Sequence, residues 1–302
     1  MQYAIETEHL SRKYGRTEAV HDLTMTVPTG SVFALVGPNG AGKTTTIKVL
    51  MNLLEPSGGR ARVLGVDSRR LNPQLLARIG YVSENQELPD WLTVQGLMDY
   101  CAPFYPTWDA AYARDLAQQL DLAVTTKLKA CSRGMRMKAA LLVSLAYRPE
   151  LLIMDEPFAG LDALVREEFS QGILEVAGGE RPWTVFVSSH DIDEVERLAD
   201  WIGIINHGRL ELAEPVSSML SRFRQVEVSL NTNAAVPGDV PKTWLLPQAS
   251  GPVLRFVDTA FSETDTAAQV RAVLPGARDI QVTALPLRQI FITLARVYRV
   301  TE

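Results

Sequence analysis

The sequence predicts an α/β fold around a mostly parallel sheet, and three short apolar runs predict it. Val32–Val36 reads VFALV and ends at Gly37, Leu151–Met154 ends in Asp155-Glu156, and Thr184–Val187 ends in Ser188-Ser189-His190. Unbroken apolar runs of this length suit strands buried on both faces, and helical stretches between them suit a sheet covered by helices. The chemistry-bearing residues lie just past the C-terminal ends of the runs, where open α/β sheets bind ligands.

The helical stretches come next. After the first run, Ile47, Leu50, Met51 and Leu54 recur at helical spacing, which predicts a helix over Lys43–Leu54. The glycine-rich segment Gly37–Gly42 therefore sits between a buried strand and a helix. From Leu97 to Leu145 the pattern is helical and rich in Ala, Leu and Met, with breaks at Pro103, Pro106 and Thr107. Trp108–Leu120 and Met135–Tyr147 carry the strongest helical patterns, so a helical subdomain inserted at about 93–147 is expected.

The character changes after Arg222. Val226-Glu227-Val228-Ser229-Leu230 alternates like an exposed strand, and Leu254–Val257 and Ile280–Thr283 read as further strands. Thr264–Val273 and Leu287–Tyr298 read as helices, and 231–239 is polar with Pro and Gly. The expected division is a first domain over 1–222 and a small α+β domain over 223–302. Leu287, Ile290, Phe291 and Leu294 share a helical face, which is more often core than interface.

Composition narrows the class. The chain has 302 residues, 46% hydrophobic and 22% charged, and a formal net charge of -5. That is an ordinary globular composition with no electrostatic signature of a nucleic-acid partner. Two cysteines, Cys101 and Cys131, make no disulfide framework and suit a reducing compartment. Met1–Leu10 carries Glu6 and Glu8 and no apolar core, unlike a signal or transit peptide. No run of about 18 apolar residues is present, so work at a membrane would need a separate membrane partner.

Gly37-Pro38-Asn39-Gly40-Ala41-Gly42-Lys43-Thr44-Thr45 fits the phosphate-loop pattern G-x-x-x-x-G-K-[ST]. Glycines let the backbone curl so that its N–H groups face phosphate oxygens, and the helix beyond adds its positive end. Lys43 is placed to reach the β- and γ-phosphates of a nucleotide, and the Thr44 hydroxyl to hold Mg²⁺. The plain alternative is a glycine-rich turn that happens to precede a lysine. The flanking strand and helix argue against it.

Asp155 and Glu156 end the second apolar run, 112 positions after Lys43. Adjacent residues at a strand end face different ways, so two roles are open to them. Asp155 suits Mg²⁺, directly or through water. Glu156 suits orienting or deprotonating a water in line with the γ-phosphate. By itself such an acid pair is usually just solvated; after a phosphate loop it gains meaning.

With these motifs in this order, the chain from about Ile5 to Leu212 resembles the ATP-binding subunit of an ABC transporter. The resemblance implies a P-loop NTPase domain of the ABC ATPase type, with an inserted helical subdomain and a small C-terminal α+β appendage. It puts Tyr14, within Arg12-Lys13-Tyr14-Gly15, where the family stacks an aromatic ring on adenine. It puts Glu84, ending Ile79-Gly80-Tyr81-Val82-Ser83-Glu84, where the family has a glutamine that binds Mg²⁺ or water and touches the membrane partner. Gln86 is the nearest glutamine. Cys131-Ser132-Arg133-Gly134-Met135 stands at the family signature leucine-serine-glycine-glycine-glutamine, and only Ser132 and Gly134 match. Ser132 is expected to N-cap a helix and offer its hydroxyl to the γ-phosphate bound by the opposite subunit. Arg133 either adds to that anion site or points into water. Asp162, in Pro157-Phe158-Ala159-Gly160-Leu161-Asp162, matches the aspartate that links two ATP sites. His190 matches the histidine that contacts the γ-phosphate. His9, His21 and His207 have no such context.

The resemblance further implies a partnership. One copy of each motif cannot build a complete ATP site, so a dimer with itself or with a related ATPase subunit is expected, closing on ATP and opening after hydrolysis. Separate transmembrane permease subunits are implied, with the chain peripheral on the cytoplasmic face of the membrane. The divergent signature is similar to those of drug- and antibiotic-type exporters. The competing reading is a soluble ABC-type ATPase acting on a partner such as the ribosome. Relatives of that kind usually carry two cassettes or a long coiled coil, and neither is present. A GTPase reading lacks its Asn-Lys-x-Asp motif.

Overall fold

Two long strands, β1 (Tyr3–Tyr14) and β2 (Thr17–Pro28), pair antiparallel at the start of the chain. Neither alternates cleanly in sequence, because their register shifts repeatedly and His9 and Asp22 take left-handed φ values of 49° and 51°. Each shift changes which residues face inward and breaks the period of two. Next along the chain come β3 (Val32–Val36), α1 (Lys43–Leu50), β4 (Gly58–Val63), β5 (Val66–Asp67), α2 (Pro73–Leu76) and β6 (Ile79–Ser83). A four-stranded sheet, ordered β2-β1-β4-β5, results. The computed structural model describes residues 2–177 and 183–300.

Three helices separate β6 from the next strand: α3 (Val94–Cys101), α4 (Ala110–Gln119) and α5 (Arg133–Leu145). Each begins at a side-chain cap, Thr93, Asp109 and Ser132 respectively, whose oxygen accepts from backbone N–H groups of the first turn. Then come β7 (Leu151–Asp155), α6 (Ala163–Ala177), β8 (Thr184–Ser189), α7 (Ile192–Val195), β9 (Trp201–Asn206) and β10 (Arg209–Pro215). The second sheet is ordered β10-β9-β3-β8-β7-β6, and its strands from β9 to β6 run parallel. The three apolar runs of the sequence are thus the adjacent central strands β3, β8 and β7, and every residue of all three is buried.

One core joins both sheets to α1. Ile5, Leu10, Leu23 and Val27 from the antiparallel sheet meet Phe33, Leu35, Ile153 and Phe186 from the parallel sheet, with Ile47 and Leu50 from α1. Burying each such side chain fully is worth about 1.5–3 kcal/mol. The α1 helix stops at Leu50 rather than at Leu54, because Asn52 turns left-handed (φ 56°) and ends the helical path.

The chain divides into two units, 1–213 and 214–302. The division falls before the boundary expected at 222, for a polar reason. Arg222 ends α8 (Val216–Arg222), pairs with Glu214 at 2.5 Å, and donates to the Thr259 carbonyl, so the helix belongs to the second unit. That unit continues as β11 (Arg224–Leu230), β12 (Trp244–Ser250), β13 (Val253–Asp258), α9 (Glu263–Val273), β14 (Ala277–Ala284) and α10 (Leu287–Val300). Its sheet is antiparallel and ordered β12-β13-β11-β14. Val226, Val228, Leu254 and Phe256 form its core, and the Trp244 and Phe256 rings stack at 3.9 Å. β12 carries a register shift and a left-handed Leu246, which hides it from period-two reading. Leu287, Ile290 and Leu294 are buried, and Phe291 is partly so.

The central strands leave no room for added volume. A Cβ on Gly203 in β9 would lie 2.9 Å from the Phe33 ring, which itself stacks on Phe186. Gly203→Ala is expected to lower stability by about 1–3 kcal/mol through forced repacking. Urea unfolding monitored by far-UV circular dichroism would read the shift.

Candidate functional site

The glycine-rich loop leaves β3 and enters α1. Gly40 and Gly42 have φ of 83° and 103°, which L side chains adopt only with strain. A Cβ on Gly37 would collide with the Ile205 carbonyl oxygen, and one on Gly42 with the Ala19 carbonyl oxygen. Both glycines are therefore held by close backbone approach. Around Gly40 there is open space, and Pro38 and Asn39 are exposed beside it. Ala41 and Lys43 are buried, while Thr44 and Thr45 are half-buried. Gly42 is the N-cap of α1 and offers no side-chain cap, so the helix's first N–H groups have no side-chain acceptor there.

Lys43 is only 3% exposed, and its ammonium is bonded within the fold. It donates to the Gly37 carbonyl at 2.6 Å and the Pro38 carbonyl at 3.1 Å, and pairs with Glu156 at 3.0 Å. The lysine thus stands across its own loop, bonded to carbonyls at its start.

The two acids at the end of β7 separate as adjacent strand-end residues should. Asp155 accepts from the Thr44 hydroxyl at 3.0 Å and from the Ser188 hydroxyl at 2.8 Å. Glu156 then turns left-handed, with φ 50°, a conformation costly for a non-glycine residue and common where geometry serves a site. Its backbone N–H donates to Ser188 Oγ at 3.0 Å. Its carboxylate bridges Lys43 on one oxygen and His190 on the other, the latter at 2.7 Å from Nδ1. The backbone N–H of His190 also donates to it at 3.3 Å. Lys43, Thr44, Asp155, Glu156 and His190 form one bonded cluster.

These contacts set the electrostatics. Burial raises the Asp155 pKa, the hydroxyls of Ser188 and Thr44 oppose that rise, and the neighbouring Glu156 charge adds to it. The hydrogen bond to Glu156 raises the His190 pKa above its ordinary 6.5. The imidazolium is therefore held to higher pH than that of a free histidine, and its attraction to the Glu156 carboxylate is lost as pH rises through that raised value.

Two residues that no sequence motif assigns a role belong here. Ser188 joins both acids through one hydroxyl. Its place is set by strand register, since Asp155 and Ser188 are direct partners across β7 and β8, and no motif announces that pairing. Glu194 is buried, accepts from the Ser189 hydroxyl, and lies 3.7 Å from Arg166. It lies on α7, and since His190 precedes that helix and its Asp191 cap, no helical spacing links the two in the sequence. Ligand atoms of Glu156, His190 and Glu194 lie within 4.8 Å of one another.

The remaining candidates direct their side chains to other partners. Ser132 caps α5 by accepting from the Met135 N–H at 3.2 Å. Gly134 lets α5 press on α6, since a Cβ there would sit 2.6 Å from Val165. Asp162 accepts from the Val165 N–H at 3.0 Å at the start of α6. Glu84 donates its N–H to the Asp155 carbonyl, but its carboxylate accepts from Arg133 at 2.6 Å. Tyr14 is exposed, with the Arg12 guanidinium 4.9 Å from its ring centre.

The donor set fits a nucleotide with Mg²⁺. A hydroxyl and a carboxylate already in contact, Thr44 and Asp155, are hard oxygen ligands of the kind that hold Mg²⁺ beside phosphates. A side-chain-uncapped helix start and a buried lysine suit the phosphates themselves.

Comparison with known proteins shows the family. Residues 20–159 match the ABC transporter family. A bacitracin transport ATP-binding protein of Enterococcus faecalis is 30% identical, with 74% of this chain and 73% of that protein aligned. A daunorubicin/doxorubicin resistance ATP-binding protein of Streptomyces peucetius is 34% identical over 73% of this chain and 70% of its own. A solved ATP-binding subunit of an ABC transporter superposes with a TM-score of 0.65 at 27% identity, covering 72% of this chain and 92% of that one.

Replacing Glu156 by Gln removes the charge that raises His190. In Glu156→Gln the His190 pKa is expected to fall back toward 6.5, read by NMR titration of the imidazole nitrogens. An unchanged titration would contradict the bridging carboxylate.

Proposed function

The chain belongs to the ABC transporter family of ATP-binding proteins, and from that premise we propose that it hydrolyses ATP to drive export through separate membrane subunits. The observation that carries the reading is the bonded cluster at the ends of β3, β7 and β8. It holds a phosphate-loop lysine, a metal-binding pair and a bridging carboxylate within direct reach.

The residues divide the work. Backbone N–H groups of Gly40–Thr45 and the Lys43 ammonium bind the phosphates of ATP. Thr44 and Asp155 would hold Mg²⁺, which when bound would offset phosphate charge. Ser188 keeps Asp155 aimed at Thr44 and holds the backbone turn at Glu156. Glu156 orients and deprotonates the attacking water, and His190 donates to the γ-phosphate. One carboxylate cannot serve Lys43, His190 and a water at once. Phosphate oxygens compete with Glu156 for the Lys43 ammonium, so binding of ATP frees an oxygen of Glu156 for water. Tyr14 offers its ring to adenine.

Export rests on the relatives, one named for bacitracin transport and one for daunorubicin/doxorubicin resistance. No helix among the described residues is long and apolar enough to cross a membrane. The reading assigns the pathway to separate permease subunits. Ser132, Gly134 and Asp162 lie outside the bonded cluster. That separation fits a dimer, of two copies or with a related subunit, in which Ser132 meets the partner's ATP and Asp162 lies between the two sites. Such a subunit sits on the cytoplasmic face of the membrane.

Two substitutions test the chemistry. Lys43→Ala loses charge-assisted bonds worth about 1.5–3 kcal/mol, so ATP affinity should fall about tenfold to a hundredfold. Fluorescent-nucleotide titration measures that, and undiminished affinity would sink the phosphate assignment. Glu156→Gln should still bind ATP while turnover falls about 10²–10⁴-fold in a phosphate-release assay. Wild-type turnover in that variant would remove the water-activating role. Copurification of tagged Glu156→Gln from detergent-solubilised membranes with ATP and Mg²⁺ tests the partner. A polytopic protein in fixed ratio supports transport, and ribosomes in its place overturn it.

A further inference from the structure

Arg133 sits at the first position of α5, immediately after the Ser132 cap. That place is electrostatically wrong for a cation, because a helix N-terminus already carries partial positive charge. The first turn of α5 contains no acid of its own to offset it. The compensating charge comes from a distant segment. Arg133 Nη2 donates to Glu84 Oε1 at 2.6 Å, which brings a carboxylate to the helix start.

The contact joins three segments, two of which adjoin the Asp155–Glu156 strand end. Glu84 comes directly after β6, and its backbone N–H donates to the carbonyl of Asp155 at 3.0 Å. The Arg133 guanidinium lies against the backbone of Gly160, in the loop after Glu156. A Cβ on Gly160 would stand 2.8 Å from Nη1, and its φ of 69° also favours glycine. One turn along α5, Arg136 pairs with Asp90 at 2.6 Å and donates to the Leu88 carbonyl at 3.2 Å. The stretch from Glu84 to Asp90 is thus strapped to α5 by two arginines three positions apart, on one helical face.

We propose that Glu84 and Arg133 are a matched positioning pair that holds the Ser132–Gly134 turn in register with the Asp155–Glu156 strand end. On this reading the Glu84 carboxylate serves Arg133 rather than Mg²⁺. The pair is half-exposed, so it adds little to global stability. Its effect is on orientation: it ties the strand end that carries the metal and water acids to the helix start that meets a second nucleotide. The inference rests on the ATPase reading above, and its test includes one arm that does not.

The test is a double-substitution cycle on the full chain, with Glu84→Gln, Arg133→Gln and both together. Steady-state ATP hydrolysis is measured against ATP and against Mg²⁺. Each single substitution should lower kcat about three- to tenfold, with the KM for ATP and the Mg²⁺ requirement within about twofold of wild type. The double variant should be no slower than the slower single one, because both remove the same contact. Multiplying effects, or a raised Mg²⁺ requirement confined to Glu84→Gln, would overturn the pair and return Glu84 to the metal. The independent arm is amide hydrogen exchange at Met135 and Arg136, measured without nucleotide. Both single variants should exchange several-fold faster than wild type, and the double no faster still. Unchanged exchange in the single variants overturns the proposal even where hydrolysis falls. A wild-type chain without ATP turnover would count against the proposed function alone, and the exchange arm would still judge the pair.

Discussion

The hydroxyl of Ser188 lies between the two acids, and the geometry of the cluster depends on it. It donates to Asp155 and accepts from the backbone N–H of Glu156, so one atom sets the direction of the first carboxylate and the turn that presents the second. Neither is possible unless β7 and β8 pair in the observed register, with Asp155 opposite Ser188. A shift that brought Val187 opposite Asp155 would leave a buried acid without that donor, a costly arrangement. The register is secured by the apolar residues on both strands, all buried, and by β3 on the far side of β8. The hydrophobic core therefore decides the site indirectly. It fixes strand pairing, and strand pairing fixes which polar groups meet.

Close backbone approach imposes the second constraint. The phosphate loop packs against the Ile205 carbonyl at Gly37 and the Ala19 carbonyl at Gly42, and the left-handed turn at Gly42 leads straight into α1. Lys43 then falls between loop carbonyls and Glu156, where its charge is neutralised without a nucleotide phosphate. A buried ammonium needs such a partner. On the proposed function, a phosphate oxygen would satisfy the lysine in place of the acid.

Much of the first unit is legible in the sequence, and the reason lies in pattern length. Central parallel strands are apolar throughout, so Val32–Val36, Leu151–Asp155 and Thr184–Ser189 stand out against the polar residues that end them. Helices α4, α5 and α9 also keep closely to their spacing, with side-chain caps at their starts. The antiparallel strands β1, β2 and β12 are not legible. Bulges and left-handed residues at His9, Asp22 and Leu246 reset the alternation before it has run long enough to read. Motif order alone puts Glu84 beside the metal, and no spacing announces that its carboxylate meets Arg133, 49 positions away.

What the sequence by itself determined is the chemistry on offer: a phosphate loop, an acid pair after a buried strand, and a histidine after the next. These are local because each needs only a strand end and a turn, both written in a few consecutive residues. What only the tertiary structure decided is which atoms share a bond. Ser188 with Asp155, Glu156 with both Lys43 and His190, and Glu84 with Arg133 are contacts between segments far apart in the chain. Their formation depends on sheet order and register, which arise from packing of the whole core and are not encoded at any one position.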